Sequence, residues 1–198
     1  VGVAMAMYLD DSNEWFYWSG GGWGINDYWG IWGKQGLDWT VTVRPLNPYV
    51  GWDGPVTTSS SGPLEVFHCP ADSGGTAGPS WLWGDVLPSC WDRWGQSTHY
   101  NSTANNNEGV PGDIGVGLFR KHLRQITRPE RVVLSSDGSF LCYFLNYNPA
   151  RYYLWHNRAQ LGWGVVLWID GHAAYRMATN NQPDFQRGAD WSFRYDGQ

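Results

Sequence analysis

The chain carries little charge of either sign. Asp, Glu, Lys and Arg make up 16% of its 198 residues, and the net charge is −5. Phosphate binding needs clustered Lys and Arg, so this balance excludes nucleic acid as a partner. No apolar run reaches the ~18 residues that a membrane-spanning helix needs. Cysteine is scarce: Cys69, Cys90 and Cys142 lack C-x-x-C spacing, which argues against a zinc framework. H-E-x-x-H and G-x-S-x-G are absent, and no pair of carboxylates stands out for glycoside hydrolysis. Asp72-Ser73-Gly74-Gly75 is similar to the nucleophile region of trypsin-like proteases. It lacks the preceding Gly and a distant upstream His, as a Ser-His-Asp triad requires. The expectation is a non-enzyme without a cofactor.

What the chain has in abundance is Trp, 15 residues, and Gly, 26 residues. That mix suits a loop-rich β protein relying on aromatic burial or aromatic contact surfaces. At 42% hydrophobic residues, one domain spanning 1–198 has enough material for a core. Val1–Leu9 reads as a helix that opens without a capping residue and stops at Asp10-Asp11-Ser12-Asn13. It reads as the C-terminal part (1–13) of a longer helix. The region 14–112 is loop-rich, with a Trp/Gly segment from Trp15 to Gly36 and a short strand over Trp39–Val43. In 113–198, Asp113 would cap an amphipathic helix carrying Phe119, Leu123 and Ile126, ended by Pro129. Two hairpins follow, with Asp137-Gly138 and Asp170-Gly171 as type I′ turns. A helix across antiparallel strands makes the fold class α+β. A Cys69–Cys90 bridge would close a loop of roughly 20 residues and contribute about 3 kcal/mol; the alternative is three thiols.

Several landmarks, in order, carry a family resemblance. The stretch Val1–Phe16 is similar to the pilin helix just past its membrane-spanning part. Pro45-Leu46-Asn47-Pro48-Tyr49 resembles an L-x-P-Y element, and Phe67–Asp72 resembles F-x-C-P-x-D. His99-Tyr100-Asn101 resembles S-Y-x-x-N. Ile126–Pro129 with Val132–Asp137 resembles I-x-x-P-x-x-V-L-L-x-D. His156-Asn157 and Asp170-Gly171-His172 resemble the paired R-H-N-G-G and D-G-H signature. The chain thus resembles type IV pilins and type II secretion pseudopilins of the prepilin-type H-x(9)-DG family, of planctomycete and verrucomicrobial type. Here 13 residues rather than nine separate His156 from Asp170. The resemblance implies a pilin-like fold, an N-terminal helix packed on an antiparallel sheet. It also implies a structural subunit of an extracellular pilus-like filament or periplasmic pseudopilus in a bacterium. Such a subunit is anchored in the inner membrane before assembly and then polymerises with itself.

Candidate site residues follow from both readings. His156, Asp170 and His172 together suit a divalent cation; the competing reading is a plain turn at Asp170-Gly171 with His156 bonded to nearby backbone. Calcium at Asp137 or Asp72 is an expectation from related pseudopilins, though no D-x-D-x-D spacing supports it. Trp15, Trp18, Trp23, Trp29 and Trp32 form either a subunit contact or a surface for stacking on glycans, and the latter makes a secreted carbohydrate-binding module the alternative function. Asn101-Ser102-Thr103 is an N-glycosylation sequon.

Overall fold

The computed structural model describes residues 1–17, 31–38, 41–76, 85–101, 117–118, 121–138, 140, 155–156, 162–178 and 190–194. Helix α1 spans Gly2–Asp11, and no side chain caps its first turn. Ala, Met and Leu at positions 4 to 9 favour helix. The chain leaves it where Asn13 and Glu14 take left-handed φ of 54° and 65°. Ala4, Met5 and Leu9 are buried with Leu46, Leu64 and Leu134, and partly buried Leu167 and Ile169 join them. Each buried Leu or Met contributes about 2 kcal/mol. A second tie comes from the 3-10 turn Asn47–Val50. There Tyr49 meets Tyr8 edge-on at 6.1 Å and its hydroxyl donates to Asp11 Oδ2 at 2.9 Å.

Beyond a two-stranded ribbon, β1 (Gly75–Thr76) with β2 (Asp85–Val86), lies the short helix α2, Cys90–Trp94. The main sheet is antiparallel, in the order β3 (Thr98–Tyr100), β4 (Val133–Asp137), β5 (Trp163–Trp168), β6 (Ala173–Met177). Alternate side chains of a strand point to opposite faces, and Val132-Val133-Leu134 shows the consequence. Val132 and Leu134 join the α1 cluster, whereas Val133 joins Phe140, Val166, Trp168, Ala178, Trp191 and Phe193 on the other side. Both faces of the sheet are therefore covered at β4, whereas most of β6 is exposed. Residues 190–194 close the second face alongside β4, where Val133 N–H donates to the Ser192 carbonyl at 2.8 Å.

Four sequence expectations change. Asp137-Gly138 is not a hairpin turn: β4 ends at Asp137, Gly138 and Phe140 are helical, and β4 pairs with β3 and β5. The Asp137 carboxylate points at β5 instead, accepting the Val165 N–H at 2.6 Å. Asp170-Gly171 does reverse the chain, but only Gly171 of the pair has positive φ, 92°, and its N–H returns to the Trp168 carbonyl at 3.0 Å. Ile169 and Asp170 thus make the turn, and Gly171 takes the left-handed position after it. At the described end of the helix expected from Asp113, Leu123–Gln125 forms a 3-10 turn capped by His122. The reason is extended pairing just before it: Phe16 N–H donates to the Lys121 carbonyl and Leu123 N–H to the Glu14 carbonyl. Asp113 and Phe119 lie outside the described residues. Finally, residues 41–43 form no strand, although Val56 N–H donates to the Thr42 carbonyl at 2.7 Å.

The end of the Trp/Gly segment is core rather than surface. Residues 31–38 run along α2, with Lys34 N–H on the Gly95 carbonyl and Leu37 N–H on that of Asp92. Gly95 permits this approach: at φ 81°, a Cβ there would lie 1.9 Å from the Lys34 carbonyl oxygen. Trp32 is thereby carried inside, stacked on Phe67 at 5.9 Å and edge-on to Tyr100 at 6.0 Å.

Candidate functional site

The 3-10 helix Gly62–Phe67 delivers the chain to a tight turn, where Asp72 N–H donates to the Cys69 carbonyl at 2.9 Å. The two ends of that turn do different work. Asp72 faces α2. Its Oδ1 accepts from the N–H groups of Gly74 (2.9 Å) and Cys90 (3.0 Å), and its Oδ2 from Trp91 N–H (2.9 Å) and the Ser97 hydroxyl (2.7 Å). Helix-start amides lack partners within the helix, and this carboxylate supplies them. Four donors saturate it, which leaves no lone pair for a calcium ion or for a protease-like role beside Ser73.

Cys69 faces the other way. Its Sγ lies 3.6 Å from His156 Nε2, and the same nitrogen lies 2.8 Å from Asp137 Oδ2. Segments far apart in sequence thus meet at one imidazole. Gly164 makes room for the carboxylate, since a Cβ there would fall 3.1 Å from Asp137 Cβ and 3.0 Å from Phe140 Cβ. Hydrogen bonding to Asp137 and to Cys69 outweighs burial and pushes His156 up to about 10, so the ring is an imidazolium at neutral pH. A hydrolytic triad uses the two ring nitrogens separately, one toward the nucleophile and one toward the carboxylate. Here both partners sit on Nε2, so the ring serves as a fixed cation between two acceptors rather than as a relay.

The residues singled out from sequence separate accordingly. Asp170 and His172 come together, Nδ1 to Oδ1 at 2.6 Å, with His172 also stacked on Trp168 at 4.2 Å. His156 is not with them, because Asp137 holds it; among the described residues no group of three His, Cys, Asp or Glu side chains is placed to hold a metal ion. The Cys69–Cys90 bridge is not formed: both residues are thiols, Cys69 turned to His156 and Cys90 buried in the first turn of α2 with its N–H on Asp72. Cys142 lies outside the described residues. Asn101 is buried and unsuited to glycosylation, because its amide nitrogen donates to the carbonyls of Val133 at 2.7 Å and Phe193 at 2.9 Å. Trp32 is core, whereas Trp15 is half exposed, edge-on to His122 at 5.1 Å; Trp18, Trp23 and Trp29 lie outside the described residues.

Sequence reasoning did not join Cys69 to His156 and Asp137. Each was visible as a landmark, but their meeting depends on β4 pairing with β5 rather than folding back at Gly138. No family model, curated protein or solved structure matches the chain.

Proposed function

We propose that this chain is a structural subunit of a pilin-like or pseudopilin-like filament outside the bacterial cytoplasm, working by self-assembly. The observation that carries the reading is the two-faced character of α1. Ala4, Met5 and Leu9 enter the core, while Val3 (77% exposed) and Met7 (47% exposed), one turn apart, face outward. Apolar side chains aligned on a free helix face gain by covering one another when copies associate.

A second line of support is how the polar landmarks are used. Asn47 clasps Gly33 through its N–H and its carbonyl, Asp72 seats α2, and Asn101 ties β4 to the C-terminal segment. These side chains hold backbone in place and are not offered to a substrate, which suits a scaffold. Electron microscopy of native material, alongside a Val3→Asp/Met7→Asp double variant, tests the reading. Filaments that vanish in the double variant while its melting temperature stays within a few degrees support it. Monodisperse native particles, or filaments indifferent to both substitutions, overturn it.

A further inference from the structure

The groove between α1 and the sheet, about 190 Å³ and lined by Met5, Leu9, Phe16, Leu134 and Ile169, shows nothing that selects an occupant. The exposed Val165 and Met177 on β5 and β6 likewise show nothing that selects a partner. The cluster at His156 carries more.

We propose that Cys69 is a thiol–disulfide exchange site, its sulfur placed beside the His156 imidazole and reachable by a disulfide from solvent. Three observations argue for it. Cys69 is partly exposed, on a turn at the end of a 3-10 helix, whereas Cys90 is fully buried. His156 Nε2 stands 3.6 Å from the sulfur, so a donor sits beside the atom that attacks. Asp137, anchored by Val165 N–H at 2.6 Å, keeps the ring in place and charged. Among the described residues, two other titratable groups at the turn are already engaged: His68 pairs with Glu65 at 2.9 Å, and Asp72 is saturated by α2.

The step balances without a further oxidant. Cys69 gives its proton to solvent, and the thiolate attacks one sulfur of R–S–S–R. A new S–S bond forms, the old one breaks, and its electron pair leaves on R–S⁻, which takes a proton from solvent. Cys69 is oxidised to a mixed disulfide and one R–S group is reduced to the thiol. His156 keeps its proton throughout; Asp137 is a positioning residue.

This proposal is independent of the filament reading. The test is the rate at which oxidised glutathione modifies the Cys69 peptide, followed by mass spectrometry at pH 7. We expect the native chain to react about tenfold faster than the urea-unfolded chain, and His156→Gln to remove that advantage. His156→Lys, which restores a cation, should recover part of it. Equal rates for native and unfolded chain overturn the proposal, and that comparison needs no variant to fold. Full native reactivity in a folded His156→Gln chain overturns it as well.

Discussion

Two aspartates, Asp72 and Asp137, look interchangeable in sequence, and the fold uses them differently. Asp72 is closed by backbone N–H groups from Gly74, Cys90 and Trp91 and by the Ser97 hydroxyl. None of those donors titrates at ordinary pH, so Asp72 is a permanent joint. Asp137 has one backbone donor, Val165, and spends the rest of its charge on an imidazole that a thiol also approaches. Its environment therefore changes with pH and with the state of the sulfur. The kind of donor, not the kind of residue, separates a structural carboxylate from a responsive one.

The contrast breaks most visibly at Asp72. Asp72→Ala leaves three N–H groups and a hydroxyl without their acceptor, each costing ~1–3 kcal/mol where water cannot reach. We expect a loss of about 3–5 kcal/mol in urea denaturation; a loss under about 1 kcal/mol would make Asp72 dispensable and end the comparison. Asp137→Asn keeps an acceptor for Val165 but discards the charge pair, and should cost about 1–2 kcal/mol in the same measurement.

Alkaline pH sharpens the difference. Folding raises His156 from its ordinary value near 6.5 to about 10, so folding favours the protonated ring. The stabilisation is complete below pH 6.5 and is lost as pH climbs through 10. With the ring partly exposed and screened by solvent, the loss should be about 1–2 kcal/mol. Stability measured from pH 6.5 to 10 should fall in the native chain and flatten in His156→Gln; an unchanged slope in that variant refutes the assignment. The smallest effect belongs to Cys69→Ser, which exchanges one weak contact for a hydroxyl and should change the unfolding free energy by under about 0.5 kcal/mol in urea denaturation. A larger shift would make the sulfur part of the joint rather than a group free to react.

Legibility in the sequence followed the range of the interactions. The helix at Val1–Leu9, its stop near Asp10, and the reversal at Asp170-Gly171 were readable because propensity and turn sterics act within a few residues. The Asp137-Gly138 dipeptide misled for the same reason. As a local signal it favours a hairpin, yet burial of Val133 on one face and Leu134 on the other is satisfied only with β3 and β5 alongside. Trp32 misled in the opposite direction. Its aromatic neighbours suggested a subunit-contact or glycan-stacking surface, but the contact that buries it depends on Gly95, far along the chain.

By itself the sequence determined that this chain has an apolar N-terminal helix without a side-chain cap, antiparallel strands and enough aromatic residues to need burial or a contact surface. Local sterics and the two periodicities of backbone structure are enough for that. Which strands became neighbours, which tryptophan went inside, and which aspartate met a histidine were decided only by tertiary structure. Those outcomes depend on covering both faces of β4 at once, a condition no short stretch of residues can express.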